Sequence, residues 1–159
     1  MTITIEKVRY NTPKDARILE AVLTQWFKNP KELNLTDPRM PYPFNYNKWV
    51  TMTYTNQDIQ SFVVKSDNWI IGMGDLMLTP ELKRAHALHI FIDEHYRKQG
   101  LGKRMIEYFE SISKKEKMDT FTLRLISQHV LEKEIYENMG FQLNGKSKWG
   151  SPIMEKKLF

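Results

Sequence analysis

Cations and glycines are concentrated in the segment Arg97–Arg104, which has the sequence Arg-Lys-Gln-Gly-Leu-Gly-Lys-Arg. Lys103 and Arg104 fall in the predicted first turn of a helix, where cations oppose the helix dipole at a cost of about 0.3–1 kcal/mol each. The arrangement becomes favourable when an anion lies at the helix start, because unpaired main-chain N–H groups and the cations then face it together. The segment therefore predicts a phosphate or pyrophosphate site.

The glycines of this segment have a simpler explanation, because Gly100 and Gly102 could serve a tight turn that binds nothing. The neighbouring cations favour the anion site. Two other phosphate-binding patterns are absent from the sequence. It has no G-x-x-x-x-G-K-[ST], so a P-loop is unsupported, and no G-x-G-x-x-G followed by an acidic residue, so the dinucleotide fingerprint is missing.

A strand and a helix must position the segment. Alternating polarity predicts a strand over Arg84–Asp93, and the apolar stripe from Leu101 to Ile112 predicts a helix over 101–117. A strand over 120–126 follows, so the chain makes a crossover that pairs two parallel strands with right-handed connectivity.

The remaining elements complete a β-α-(α)-β-β-β-α-β-α-β-β order. Periodicity predicts strands over 2–9, 59–65, 69–78, 141–148 and 152–158, and helices over 13–28, 129–139 and, weakly, 45–54. Four prolines predict an extended loop over 29–47. We expect an α/β (α+β) fold: a mixed, mostly antiparallel central sheet with one parallel βαβ crossover, flanked by about four helices.

Composition limits the chain to a few classes. Its 159 residues fit one domain, 1–159, and its net charge of +5 favours an anionic partner such as nucleic acid, anionic lipid or a phosphorylated cofactor. With no cysteine, disulfides, Cys-ligated zinc and an acyl-cysteine intermediate are excluded. No apolar run approaches a membrane span, and the first residues lack a signal-peptide pattern, so we expect a cytoplasmic protein.

Two motifs resemble those of the GCN5-related N-acetyltransferases (GNATs). Arg97-x-x-Gly100-x-Gly102, after a strand and before a helix, resembles the family's acyl-CoA-binding motif Q/R-x-x-G-x-G/A. The segment Tyr136-Glu-Asn-Met-Gly140-Phe141 resembles its Y-x-x-x-G-F. The predicted element order is also that of the family and covers nearly the whole chain, whereas the motifs lie within 88–141.

The resemblance implies an acetyl-CoA (or acyl-CoA) site. The backbone of Phe91 and Ile92 would pair with the pantetheine arm like an added strand, and the amides of the following loop would hold the pyrophosphate. His129 stands where the family usually has asparagine, and Glu94 where it usually has proline. The implied cofactor-binding residues are Phe91, Ile92, Arg97, Lys98, Gln99, Gly100, Leu101, Gly102, Lys103, Arg104 and His129.

Acetyl transfer to an amine needs a base and gains from an acid. A lysine-like amine has a pKa near 10.4 and must lose a proton, and the leaving thiolate gains from a proton donor. Tyr136 matches the tyrosine that the family is proposed to use as that general acid; alternatively it is a partly buried tyrosine that packs under the sheet. Asp75 is a possible base, because it follows an irregularity that Gly72 and Gly74 predict in their strand.

Histidines and aromatic residues supply further candidates. His86 and His89 lie on opposite faces of a strand, so they cannot bind one metal together; either could be a base or simply packed, and so could His129. Tyr42, Phe44 and Trp49, together with Tyr46, could line the acceptor pocket, or could pack over the sheet edge, and Trp149 is a similar candidate.

The resemblance implies an acetyl-CoA-dependent N-acetyltransferase that acts on a primary amine, of a small molecule or a protein. Because the chain has no cysteine, we expect direct attack in a ternary complex. We expect no metal, no nucleic acid and no membrane partner, and a monomer or homodimer. Two alternatives stay open: a basic module that binds RNA or another polyanion, although no RNP1, KH or helix-turn-helix pattern supports it, and a catalytically silent CoA-binding sensor.

Overall fold

The computed structural model describes residues 2–125, 130–148 and 150–159, and for residues 130 and 131 the main chain only. The strands are β1 (Ile3–Lys7), β2 (Ile59–Ser66), β3 (Trp69–Thr79), β4 (Arg84–Ile92), β5 (Thr120–Arg124), β6 (Gln142–Lys146) and β7 (Pro152–Lys157). The α-helices are α1 (Pro13–Trp26), α2 (Pro30–Thr36), α3 (Tyr46–Trp49), α4 (Leu101–Lys115) and α5 (Val130–Asn138). A π-helical turn, Val50–Tyr54, continues α3.

The seven strands are hydrogen-bonded in the order β1-β2-β3-β4-β5-β7-β6. β1 pairs with β2, β5 with β7, and β6 with β7 in antiparallel register, whereas β4 pairs with β5 in parallel. The crossover through α4 accounts for the parallel pair, because parallel neighbours need a connection long enough to contain a helix. The mixed, mostly antiparallel sheet expected from the sequence is confirmed.

The chain forms two compact units, of which the first comprises the residues up to Asp75 and His89–Met105. Its core is rich in aromatic rings. The ring centroid of Phe27 lies 5.2 Å from that of Phe44, 5.9 Å from that of Trp49 and 5.5 Å from that of Phe91. These contacts, each of a kind that adds to simple area burial, join α1, α3 and the end of β4.

The second unit comprises Leu76–Leu88 and Ile106–Phe159. Its core contains Phe121 and Phe141, both fully buried, with ring centroids 5.6 Å apart in an edge-on arrangement. Glu110 of α4 accepts a hydrogen bond from Lys156 Nζ at 2.8 Å. This ion pair fixes α4 to β7 beside the aromatic core.

The expectation of an extended loop over 29–47 was wrong for its first part, because Pro30–Thr36 forms the helix α2. Pro30 occupies the first helical position, where no N–H is needed, and Asn29 Oδ1 accepts hydrogen bonds from the main-chain N–H groups of Lys31 and Glu32 at 2.9 and 3.4 Å. Leu33 is buried. The first proline therefore starts a helix rather than preventing one.

The other elements match their predictions apart from their ends. α1 ends at Trp26 rather than at residue 28, and α4 ends at Lys115 rather than at residue 117. The weakly predicted helix near 45–54 is present as α3 and the π-helical turn. Among the described residues, no helix has the length and apolar character that crossing a bilayer requires.

We expect Asn29→Ala to lower the free energy of unfolding by about 0.5–2 kcal/mol, because two helical N–H groups lose their acceptor. Thr12→Ala is the matched control: Thr12 precedes α1 at the equivalent position, but its side chain makes no capping hydrogen bond. Urea unfolding of both variants measures the difference. Equal losses in the two would contradict the capping role of Asn29.

Candidate functional site

The loop between β4 and α4 is fixed at its start by Asp93. Its N–H donates to Ile71 O at 2.8 Å, and its carboxylate accepts hydrogen bonds from Trp26 Nε1 and His95 N, each at 3.0 Å. Burial alone would raise the pKa of Asp93, but these hydrogen bonds lower it. An ionised Asp93 therefore ties the loop to β3 and α1.

Main-chain N–H groups from residue 97 to residue 103 are free to bind an anion. Within the part of the chain that the structure describes, none of them donates to a protein acceptor, whereas the N–H of Arg104 donates to Gly100 O at 3.0 Å. Lys98 and Gly100 have positive φ angles of 63° and 79°, which turn the chain sharply before α4. The start of a helix carries a partial positive charge, so these unpaired groups favour an anion.

Gly102 lies in the first turn of α4, and a Cβ added there would meet no described atom within 4 Å. The protein's own packing therefore does not require glycine, although glycine costs about 0.5–1 kcal/mol relative to alanine inside a helix. A ligand that approaches the main chain closely would require it. This open space at the helix start fits a pyrophosphate group.

The sequence suggested that Arg97 extends toward an anion at the helix start, but in the structure its side chain binds elsewhere. Its Nε donates to Ile92 O at 2.8 Å, and its guanidinium carbon lies 5.1 Å from the centroid of the Phe91 ring. Its Nη1 also lies 3.5 Å from Glu32 Oε1. Arg97 thus holds the loop against the end of β4 and against α2.

The other three cations of the segment are exposed. Arg104 Nη2 donates to Ile3 O at 3.3 Å, which directs this guanidinium toward β1. Lys98 and Lys103 remain as the cations that can move toward an anion. Because exposed charges are screened by salt, most of the anion selectivity must come from the main chain.

The end of β4 extends beyond its pairing with β5 within the described residues. The described pairing with β5 ends at Ala87, whereas β4 continues to Ile92. Main-chain groups alternate between the two edges of a strand, and the N–H of Asp93 donates to β3. The main-chain N–H and C=O groups of Phe91 therefore face β3. In agreement, a Cβ added to Gly72 of β3 would lie 3.0 Å from Phe91 O. The main-chain groups of Ile92 face the opposite edge, where Ile92 O accepts a hydrogen bond from Arg97 Nε.

In the second unit, Tyr136 belongs to the C-terminal cap of α5. The N–H of Phe141 donates to Tyr136 O at 3.0 Å, and the N–H of Gly140 donates to Glu137 O at 3.0 Å. Gly140 has a φ of 99°, and the rings of Tyr136 and Phe141 are 6.1 Å apart. These are the two hydrogen bonds, the left-handed residue and the apolar contact of a Schellman motif.

The phenol of Tyr136 is half-buried, and its hydroxyl makes no hydrogen bond with a described residue. Burial raises the pKa of Tyr136, and the negative charge of Glu132 raises it further. The phenol therefore keeps its proton throughout the neutral and mildly alkaline range. It can donate a hydrogen bond to a developing anion.

Four charged side chains form a continuous row in the first unit, which is buried at Asp75, His89 and Asp37 and reaches the surface at Arg39. His89 Nδ1 lies 2.5 Å from Asp75 Oδ2, and His89 Nε2 lies 2.8 Å from Asp37 Oδ2. Arg39 extends the row, with Nε 3.1 Å from Asp37 Oδ1 and Nη2 3.0 Å from Asp37 Oδ2. His89, Asp37 and Asp75 are 4%, 2% and 3% exposed. We call Arg39, Asp37, His89 and Asp75 the buried row; its charges alternate, as buried ions require.

His89 is the central residue of the buried row. Its φ of 58° lies in the left-handed region, where strain costs of order 1–3 kcal/mol and persists only when the surroundings fix it. Burial alone would lower the pKa of His89, but hydrogen bonds to Asp37 and Asp75 raise it. Burial would raise the pKa of Asp37, but hydrogen bonds from His89 and Arg39 hold it well below its usual range.

The structure brings together two of the sequence candidates for a base, both in the first unit. Asp75 and His89 are hydrogen-bonded, whereas His86 lies in the second unit with its Nδ1 2.7 Å from Thr122 Oγ1, as a cross-strand pair. His129, the fourth candidate, lies outside the described residues. The sequence analysis did not identify Asp37 as a candidate site residue, because Asp37 follows the helix α2, which the sequence did not predict.

The aromatic candidates for the acceptor pocket differ in burial. Trp49 is fully buried, with its ring centroid 4.7 Å from that of His89, and Phe44 packs 5.9 Å from Trp49. Tyr42 is 55% exposed and donates a hydrogen bond to Lys28 O at 2.9 Å. Trp49 thus contacts the buried row at His89; Trp149 lies outside the described residues.

A family model described as "Acetyltransferase (GNAT) domain" matches residues 57–143, more than half of the chain. The chain belongs to the GNAT acetyltransferase family. The match includes both motifs of the sequence, the loop before α4 and the whole segment Tyr136–Phe141. Membership of this family makes the chain an acyltransferase.

Comparison with individual GNAT proteins agrees with this assignment. The probable spermine N(1)-acetyltransferase of Bacillus subtilis subsp. natto (strain BEST195) is 31% identical over 70 residues, which cover 43% of this chain and 46% of that protein. The match thus spans about half the length of the curated relative. Among solved structures, the PaiA N-acetyltransferase from Thermoplasma acidophilum in complex with coenzyme A is 21% identical with a TM-score of 0.68, and covers 99% of each chain.

The ribosomal-protein-S18-alanine N-acetyltransferase from Escherichia coli is a second structural relative. It is 16% identical with a TM-score of 0.70, over 99% of this chain and 94% of that one. At these identities the structural likeness establishes the fold, which is the acyl-CoA N-acyltransferase fold expected from the sequence.

The raised pKa of His89 predicts that stability falls in alkaline solution. Its charged form stabilises the fold fully below about pH 6.5, the unfolded value, and this contribution is lost as the pH rises through the folded pKa. In Asp75→Asn, one of the two carboxylates that raise this pKa is gone, so the decline should begin at lower pH. Urea unfolding between pH 6 and pH 9.5 measures both curves. Identical pH profiles would contradict the assignment.

Proposed function

We propose that the chain transfers an acetyl group from acetyl-CoA to a primary amine by direct attack in a ternary complex. The observation that carries the proposal is the row of N–H groups from residue 97 to residue 103 that donate to no acceptor among the described residues, with the open space over Gly102. Membership of the GNAT family and the likeness to a coenzyme A complex support the cofactor. The cofactor supplies the acetyl group as a thioester.

Several residues would hold acetyl-CoA. The amides of residues 97–103 would bind the pyrophosphate, with Lys98 and Lys103 as mobile counterions. The pantetheine arm would pair with the end of β4 through the N–H of Ile92, because Ile92 O already accepts from Arg97 Nε, and Phe91 would lie beside it. Arg97 Nε donates a hydrogen bond to Ile92 O and so fixes the loop to the end of β4. Any contribution of His129 is a prediction from the sequence alone.

The chemistry needs a proton acceptor for the amine and a proton donor for the sulfur. Asp75 is our candidate for the acceptor, because its carboxylate is held in place by His89. Tyr136 is our candidate for the donor, because its phenol stays protonated and has no hydrogen bond to a described residue. Since the chain has no cysteine, no acyl-cysteine intermediate can form, which favours attack by the amine itself.

A primary amine is the proposed acceptor, supported by the likeness to a probable spermine N(1)-acetyltransferase over part of the chain. The test supplies acetyl-CoA with amines of several classes (polyamines, amino acids and peptides with a free N-terminus or lysine) and measures thiol release. We expect release with at least one class and none without amine. A burst of acetylated enzyme would contradict direct attack.

We expect Gly102→Ala to weaken coenzyme A binding about tenfold or more, because the added methyl group occupies the space where the pyrophosphate approaches. The same substitution should raise the free energy of unfolding by about 0.5–1 kcal/mol, since alanine is the better helix residue. Calorimetric titration and urea unfolding measure the two effects. Unchanged affinity in a stabilised variant would overturn the pyrophosphate site.

We expect Tyr136→Phe to lower kcat tenfold or more and to leave coenzyme A affinity and stability nearly unchanged, because the ring keeps its contact with Phe141. Phe141→Leu is the control: it weakens the same cap but retains the phenol, so it should lose stability and keep most of its kcat. A wild-type rate in Tyr136→Phe would reject the acid role.

A further inference from the structure

The loop between β4 and α4 is attached to α1 and α2, the two helices that follow β1 in the chain. At the start of the loop, Asp93 Oδ2 accepts a hydrogen bond from Trp26 Nε1 of α1 at 3.0 Å. Further along, Arg97 Nη1 and Nη2 both lie 3.5 Å from Glu32 Oε1 of α2. The loop is therefore held at two points by side chains that precede it by 67 and 65 residues.

The guanidinium of Arg97 is oriented by three partners at once. Its Nε donates to Ile92 O at 2.8 Å, its carbon lies 5.1 Å from the centroid of the Phe91 ring, and its two Nη atoms face Glu32. A guanidinium is planar and presents its donors in a fixed fork, so it can stack on a ring and donate along its edges together. A lysine ammonium, which is a compact point charge, cannot replace this set of contacts.

Lys98, the next residue, has a conformation that needs support from its neighbours. Its φ of 63° lies in the left-handed region, where a residue with a side chain is strained and persists only if the surroundings fix it. Arg97 is held before it, and Leu101 is buried after it. Left-handed residues in such a turn direct successive N–H groups into one concavity, which binds anions.

We propose that Glu32 and Arg97 are positioning residues for coenzyme A binding. Glu32 orients the guanidinium of Arg97, and Arg97 in turn holds the N–H groups of residues 97–103 in the arrangement that receives the diphosphate. The guanidinium itself does not contact the diphosphate. This inference rests on the proposed function.

The energetic basis of this role is preorganisation. A loop without these contacts would have to be ordered when the cofactor binds, and the lost conformational entropy would weaken the affinity. The side chains of Arg97 and Glu32 are 41% and 31% exposed, and an ion pair with this exposure contributes little by its charges alone. Glu32 therefore acts by orienting Arg97, and its removal should have a smaller effect than removal of Arg97.

The first test compares Arg97→Lys with Arg97→Met. Lysine keeps the positive charge but loses the planar fork, whereas methionine loses both. If Arg97 acts by geometry, both variants should bind coenzyme A about tenfold more weakly in calorimetric titrations at low salt. Affinity close to that of the wild type in Arg97→Lys, with a loss confined to Arg97→Met, would identify a charge contact with the diphosphate and would overturn the inference.

Pantetheine, which lacks the diphosphate, separates loop positioning from general damage to the fold. Its affinity, measured by displacement against coenzyme A, should not fall in either variant of Arg97, because the N–H of Ile92 stays available to it. A merely structural contact would weaken the binding of both ligands to the same extent. Equal losses for coenzyme A and pantetheine would therefore contradict the positioning role.

The second test is a double-mutant cycle between Glu32 and Arg97. Glu32→Gln should lower coenzyme A affinity about threefold in the wild-type background and not at all in Arg97→Met, because Glu32 acts only through Arg97. Asp15→Asn is the matched control: Asp15 is the acidic residue in the first turn of α1, as Glu32 is in α2, but lies at the opposite end of α1 from Trp26. Equal affinities in Glu32→Gln, Asp15→Asn and the wild type would overturn the role of Glu32.

The outcomes separate this inference from the proposed function. If the wild type does not bind coenzyme A, the proposed function fails and this inference fails with it. If the wild type binds coenzyme A and the affinity survives both Arg97→Lys and Glu32→Gln, the cofactor site stands and only the positioning role is lost.

Discussion

The two hydrogen bonds of His89 hold together three segments that are distant in sequence. They join the end of α2, at Asp37, to β3, at Asp75, through a residue of β4. Removing one partner of such a buried set leaves an uncompensated charge, which typically costs about 3–5 kcal/mol. This cost explains how a strand residue is kept at a φ of 58°. The strain is located just beyond the described pairing of β4 with β5, which ends at Ala87.

Elements with a strong local pattern could be predicted from the sequence. Alternating polarity located the strands, and the apolar stripe from Leu101 located α4. The motif Arg97-x-x-Gly100-x-Gly102 located the loop between β4 and α4. α2 was missed because Pro30 was counted against a helix, although after Asn29 it is a good first residue. The ends of helices were misplaced for the usual reason, since the last turn depends on capping contacts rather than on periodicity.

Side-chain partners were the part that the sequence could not predict. Asp37 and His89 are 52 residues apart, and no spacing rule brings them together. Arg97 illustrates the same limit. Its position in the motif indicated a cation for the anion, but its guanidinium lies over Phe91 and its Nε binds Ile92 O. Residue type and spacing placed the main chain correctly, whereas the direction of a long side chain depends on neighbours from other elements.

The segment from Tyr136 to Phe141 shows how a motif can have two causes. A Schellman cap requires glycine at position 140 and an apolar contact between positions 136 and 141, and this requirement alone accounts for the spacing. Phenylalanine at position 136 would serve the cap equally well. The cap therefore explains the ring of Tyr136 but not its hydroxyl, which makes no hydrogen bond within the described residues. Because the cap does not require this hydroxyl, its presence is compatible with the proposed role as a donor to the leaving group.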